Sequence, residues 1–121
     1  MRLHHLALRT RDLEALAGFY RDVFGLPAVR ETPGYSVWLR AGDVVLMLER
    51  RGEEEPGPAE GSQDLVAFAV DPEGREEVLA RLARRGVPVE ASTEHTRYFR
   101  DPDGRRVAVS THPLEGGVIA R

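Results

Sequence analysis

The residues best able to do chemistry are concentrated at the start of the chain. His4 and His5 stand side by side at the head of the alternating stretch LHHLALRT, and Arg9 follows on the same strand. Side chains alternate along an extended chain, so His5, Ala7 and Arg9 share one face and His4, Leu6 and Leu8 the other. The imidazole of His5 can ligate a metal ion or act as a general base near neutral pH. The guanidinium of Arg9 can clamp a carboxylate or phosphate through two parallel hydrogen bonds, or it can form a salt bridge within the chain, for example with Glu49.

Composition removes several chemistries. The chain has no Cys, which excludes disulfides, thiolate metal sites and cysteine nucleophiles. All 17 basic residues are Arg, so a Schiff-base lysine is also excluded. Ser36, Ser62, Ser92 and Ser110 have no recognisable His/Asp context, and there is neither a phosphate-cradling glycine loop nor a G-x-S-x-G elbow. A net charge of −3 and sparse interleaving of Arg with aromatics argue against nucleic acid and anionic membranes as partners. No apolar run approaches the roughly 18 residues needed to span a bilayer, and the first residues do not read as a signal peptide. The expected location is cytoplasmic.

The elements that must position these residues occur twice. The first strand runs from Leu3 to Thr10. A helix follows, with Asp12 as N-cap and Leu13, Leu16, Phe19, Tyr20, Val23 and Phe24 at helical spacing. Gly25 stops it and Pro27 prevents its continuation. Three extended stretches come next: Ala28–Glu31, Tyr35–Arg40 and Val44–Glu49. The polar, Gly- and Pro-rich segment 51–62 reads as an exposed linker. The order then repeats, with a strand over Leu65–Val70, a helix from Pro72 to Arg85 burying Val78, Leu79 and Leu82, and extended stretches at Val89–Ala91, Thr96–Arg100 and Arg106–Thr111. HLALRT aligns with LVAFAV, GLPAV with GVPVE, and WLRAGD with YFRDPDG.

The chain is therefore α+β, with two tandem βαβββ modules: module 1 over about 1–50, module 2 over about 63–113, and a tail over 114–121. A single module leaves one sheet face uncovered, so the two form one domain. Leu6, Leu8, Val66 and Phe68 belong on the helix side. His5, Ala7, Arg9, Leu65, Ala67 and Ala69 then lie on the concave side of a curved mixed sheet, whose cup is the natural pocket. Trp38 and Tyr98 occupy equivalent places in the two modules and can line the cup or pack as core. Phe19 and Tyr20 are expected to be helix-to-sheet core, His4 to be structural or exposed, and Arg97 and Arg100 to be strand-edge charges.

In its first module the chain resembles the glyoxalase/bleomycin-resistance/dioxygenase superfamily, also called vicinal oxygen chelate. The resemblance rests on His5-Leu6-Ala7-Leu8-Arg9, Asp12-Leu13-Glu14, Phe19-Tyr20 and Phe24-Gly25-Leu26. In the second it rests on Phe99-Arg100-Asp101-Pro102-Asp103-Gly104, the family's turn before its last strand. Metal-dependent members hold a divalent ion with ligands on the first and last strands of each module, and the ion chelates two substrate oxygens as a Lewis acid. Carried over position by position, the resemblance places His5, Leu65, Ala108 and either Leu46 or Met47 at those slots. Glu49 lies just beyond and would enter only through a register shift or bulge. Leu and Ala ligate nothing, so His5 reads as the remnant of a metal site.

The expected function is binding of a small anionic or carbonyl-bearing molecule in the cup, with no cofactor. The ligand-binding residues would be His5, Arg9, Trp38, Met47 and Tyr98, and His5 is the catalytic candidate if the protein is an enzyme. Small side chains at Ala7, Ala67, Ala69 and Ala108 leave volume for the ligand. Two alternatives stay open. One is a divalent-metal-dependent lyase, isomerase or dioxygenase drawing ligands from His5, Glu49, His95 or His112; the other is a metal-free enzyme with His5 as general base. The resemblance also implies a homodimer, since the family usually pairs four modules.

Overall fold

The structure is a computed structural model and describes residues 1–114. The expected tail over 114–121 lies, from residue 115 on, outside the described residues. The element order is βαβββ twice: β1 (His5–Thr10), α1 (Leu13–Phe24), β2 (Ala28–Thr32), β3 (Ser36–Ala41) and β4 (Val44–Arg50), then β5 (Leu65–Ala69), α2 (Pro72–Arg84), β6 (Ala91–Ser92), β7 (Thr96–Arg100) and β8 (Arg106–Ser110). Each module has its own four-stranded mixed sheet, in the orders β1-β4-β3-β2 and β5-β8-β7-β6. The first strand of each module pairs in parallel with its last, and the remaining pairs are antiparallel.

Two compact units result. One is Met1–Gly61 together with Asp101–Gly104; the other is Ser62–Arg100 with the chain from Arg105 on. The segment read as a linker thus folds back on the first unit through residue 61.

Local sequence explains the helices. The Asp12 side chain accepts from the backbone N–H of Ala15 at 3.0 Å, satisfying a donor that the first turn leaves free. Gly25 ends α1 at φ 67°, a left-handed conformation that favours glycine, and its N–H donates to the Arg21 carbonyl. Leu16, Phe19, Tyr20 and Val23 recur on the face of α1 that is buried with Leu8, Leu39, Leu46 and Leu48. In the second unit Asp71 caps α2 by accepting from the Gly74 N–H, and Pro72 opens the first turn. Val78 and Leu82 are buried, as are Phe99, Val107 and Val109. Leu79, expected beside them, is only half-buried. Among the described residues no helix is long and apolar enough to cross a membrane.

Candidate functional site

Strand register decides which residues share the face of the first sheet turned away from α1, the face expected to line the cup. His5 pairs with Val45, Ala7 with Met47 and Arg9 with Glu49. On the next strand Trp38 pairs with Met47 and Ser36 with Glu49. By alternation, His5, Ala7, Arg9, Val45, Met47, Glu49, Ser36, Trp38 and Arg40 present one face. Leu46, 2% exposed, faces the helix side with Leu8, so of the two residues considered for this slot Met47 is the one on the cup face. Glu49 reaches that face with no register shift. It stands two residues beyond the Met47 slot, and because β1 and β4 stay in unbroken register from His5 to Thr10, no bulge brings it into that slot.

His4 and His5 are both exposed, and their rings share a hydrogen bond, Nδ1 to Nδ1, of 2.9 Å. Arg9 is engaged by two carboxylates. Its Nε donates to Glu55 Oε2 at 2.7 Å and its Nη2 to Glu55 Oε1 at 3.0 Å, while Nη1 donates to Glu49 Oε1 at 3.1 Å. Glu55 also accepts from the Gly52 N–H. The Arg9 hydrogen bonds, and then that of Gly52, hold the Glu55 carboxyl below the usual carboxylate range. Glu55 in turn raises the Arg9 pKa further.

Trp38 is half-buried, with the Arg30 guanidinium 5.2 Å from its ring centroid. Its Nε1 is fully buried and has no hydrogen-bond partner among the described residues. A buried indole N–H normally finds an acceptor, so leaving this one unpaired is unfavourable.

The second sheet repeats the pattern. Leu65 pairs with Arg106, Ala67 with Ala108, and Ala108 with Tyr98. Tyr98 stands to Ala108 as Trp38 stands to Met47, so the expected equivalence of the two aromatics holds strand by strand. The Arg106 guanidinium lies 4.2 Å from the Tyr98 ring centroid. Arg100, expected as a strand-edge charge, lies on this face beside Arg106. Both donate to Glu90, at 2.8 to 3.0 Å. Their hydrogen bonds hold the Glu90 carboxyl below the usual range. The sequence reading missed this trio, although stepping back two residues from Tyr98's pairing partner Ala108 reaches Arg106 on the same face. Arg97 instead donates to the backbone carbonyls of Thr93 and Thr96.

His95 and His112 come together at the far end of this sheet, with ring centroids 5.1 Å apart. His112 lies four residues beyond Ala108, roughly 13 Å along an extended chain, so the pair is not at the Ala108 slot. The four positions that the family resemblance assigns to metal ligands therefore hold His5, Met47, Leu65 and Ala108, and only His5 carries a nitrogen or oxygen donor. Among the described residues no group of three or more His, Cys, Asp or Glu side chains is arranged to hold a metal ion.

Comparison with known proteins places this geometry. The family model for the Glyoxalase/Bleomycin resistance protein/Dioxygenase superfamily matches residues 2–109. Among solved structures, the chain is similar to lactoylglutathione lyase from Agrobacterium tumefaciens, with 29% identity, a TM-score of 0.73, and coverage of 96% of this chain and 97% of that one. It is also similar in fold to the fosfomycin resistance protein FosX from Mesorhizobium loti, at 21% identity and a TM-score of 0.75, covering 94% and 93% of the two chains. A glyoxalase/dioxygenase from Nostoc punctiforme matches at 20% identity and a TM-score of 0.77, covering 93% and 91%.

Proposed function

The chain belongs to the Glyoxalase/Bleomycin resistance protein/Dioxygenase superfamily, and on that premise we propose that it binds a small anionic or carbonyl-bearing molecule on the cup face without a complete metal site. The observation that carries this reading is the side chains at the ligand slots. A thioether at Met47 is too soft for a hard divalent ion, and Leu65 and Ala108 offer no donor, which leaves His5 one donor where a stable site needs about three. Trp38 and Met47 supply aromatic and apolar surface on the first sheet. Arg9 becomes the anion clamp when a ligand carboxylate displaces that of Glu55, which occupies its fork. Tyr98, with Arg106 stacked on its ring, is the corresponding ligand-binding candidate of the second module. The protein acts as a homodimer, which would cover apolar side chains such as Leu3 and Leu65, 60% and 41% exposed in the single chain.

Trp38 is the sole tryptophan, so its fluorescence reports directly on this face. Titration with a panel of carboxylates and 2-oxo acids, with and without EDTA, tests the reading. Saturable quenching that EDTA leaves unchanged is the expected result. Quenching that needs added Mn²⁺, Zn²⁺ or Ni²⁺, with one ion retained per chain and lost in His5→Ala, overturns it.

A second reading draws on the 29% identity to a lactoylglutathione lyase. In it the protein is an enzyme of the lyase or isomerase class with His5 as general base. Turnover of a 2-oxo aldehyde or hemithioacetal substrate by the wild type, lost in His5→Ala while binding is kept, would favour it over simple binding.

A further inference from the structure

Outside the cup face, the carboxyl ends of the parallel pair β1 and β4 gather three arginines. Arg11 follows β1 directly, Arg50 ends β4, and Arg51 continues the ladder by donating its backbone N–H to the Thr10 carbonyl at 2.9 Å. Arg11, Arg50, Arg51 and Glu53 line a depression of about 390 Å³. Three arginines and one glutamate thus border it.

Few of their donors are used. Arg11 spends one, from Nη2 to the Glu53 backbone carbonyl at 3.2 Å. The side chain of Arg50 makes no ion pair among the described residues. Arg51 Nε and Nη1 are buried and have no acceptor among the described residues. The Arg51 head is tucked under the linker at Gly57, where any Cβ would overlap Nη1. The Glu55 carboxylate lies close enough to interact with the Arg51 charge, but bringing three like charges together is unfavourable. An anion seated among them would offset that repulsion. Arg9 does not compete for that role, because Glu55 and Glu49 occupy its fork.

We propose that Arg11, Arg50 and Arg51 form an oxyanion site that takes a phosphate-type dianion, as inorganic phosphate or as the phosphoryl group of a small phosphomonoester. Three forks ask for several acceptor oxygens and more than one negative charge. A tetrahedral dianion meets that demand, whereas a single carboxylate fills one fork. The site is separate from the proposed binding on the cup face and does not depend on it.

Inorganic phosphate is the first probe, titrated calorimetrically into the full chain against sodium chloride at matched ionic strength. Saturable binding to phosphate and not to chloride is expected. Arg50→Gln and Arg11→Gln, both on exposed side chains, should each weaken it by about tenfold. Glu53→Gln should tighten it. A phosphomonoester such as glycerol phosphate then separates the two sources, since a site for the ester binds it more tightly than phosphate and a site for the free ion binds it more weakly. Arg51→Met is the direct test of the buried donors, and the two exposed variants carry the test if that chain does not fold. No phosphate binding beyond the chloride control, or equal binding by wild type, Arg50→Gln and Arg11→Gln, overturns the proposal.

Discussion

The Tyr20 hydroxyl, on α1, donates to the Asp101 carboxylate at 2.8 Å, and both residues are buried. Eighty-one positions separate them in sequence, yet both belong to the first compact unit. Asp101 also opens the turn that ends at Gly104. Its carbonyl accepts from the Gly104 N–H, its Oδ1 accepts from the Asp103 N–H, and Gly104 adopts φ 84°. The Asp-Pro-Asp-Gly turn is thus held both by its own hydrogen bonds and by α1. Tyr20→Phe would keep the packed ring and strip a donor from a buried carboxylate, so it should destabilise by about 1–3 kcal/mol. Urea denaturation should show a lower midpoint with an unchanged slope.

Arg9 and Glu55 make a second prediction, because the fork that Glu55 fills is the one an anionic ligand would use. Glu55→Gln should tighten an anionic ligand on the cup face by about tenfold, and Arg9→Met should weaken the same ligand by a similar factor. Intrinsic fluorescence of Trp38 measures both. If Glu55→Gln leaves affinity unchanged, Arg9 serves only to anchor the linker.

The same pair sets a pH dependence. The Glu55 carboxyl lies below its unfolded value in the folded chain, so the folded state binds the proton less readily than the unfolded one. Its contribution is fully present above the unfolded carboxylate value and is lost as the pH falls through the lower folded value. The stability difference between wild type and Glu55→Gln should therefore be constant near neutrality and shrink on acidification below the usual carboxylate range. Paired denaturation curves at stepped pH measure it. A difference that grows on acidification would mean that another group controls the transition.

Local periodicity made much of this arrangement legible. Alternation alone put His5, Ala7 and Arg9 on one face, and duplication paired Trp38 with Tyr98. The helix caps at Asp12 and Gly25 were readable because a cap is built from neighbours. Partners supplied from a distance were not. Glu55 meets Arg9 across 46 positions because a Gly- and Pro-rich segment folds back on its unit, and composition marks such a segment only as irregular. Tyr20 read as one more core aromatic, since the periodicity of α1 places its ring but cannot say what its hydroxyl meets. The parity that selects Met47 also puts Glu49 on the same face, two residues beyond the slot.

Arg100 and Arg106 stand directly opposite each other on β7 and β8, a like-charged pair that is unfavourable by itself. Glu90 accepts from both and offsets it. Glu90→Gln should lower the melting temperature at low salt, with the deficit shrinking as sodium chloride screens the two arginines. Thermal scans of both chains across a salt series check this. A deficit independent of salt would point to lost hydrogen bonds rather than exposed repulsion.

Trp38 gives the sharpest contrast with Tyr20. The Tyr20 hydroxyl has a buried partner, whereas the Trp38 Nε1 is buried with none among the described residues. Leaving that N–H unpaired costs about 1–3 kcal/mol, so Trp38→Phe relieves a penalty while it gives up packing volume. The volume lost in a large-to-smaller aromatic change costs a comparable amount, so the net effect on stability should be within about 1 kcal/mol of zero. Binding should respond differently. If a ligand oxygen accepts from Nε1, the Phe variant loses a hydrogen bond that forms only in the complex, and affinity should fall by about tenfold. Calorimetric titration is the readout, because the variant no longer fluoresces as tryptophan. A variant destabilised by more than about 2 kcal/mol with unchanged affinity would make Trp38 a packing residue and move the ligand elsewhere.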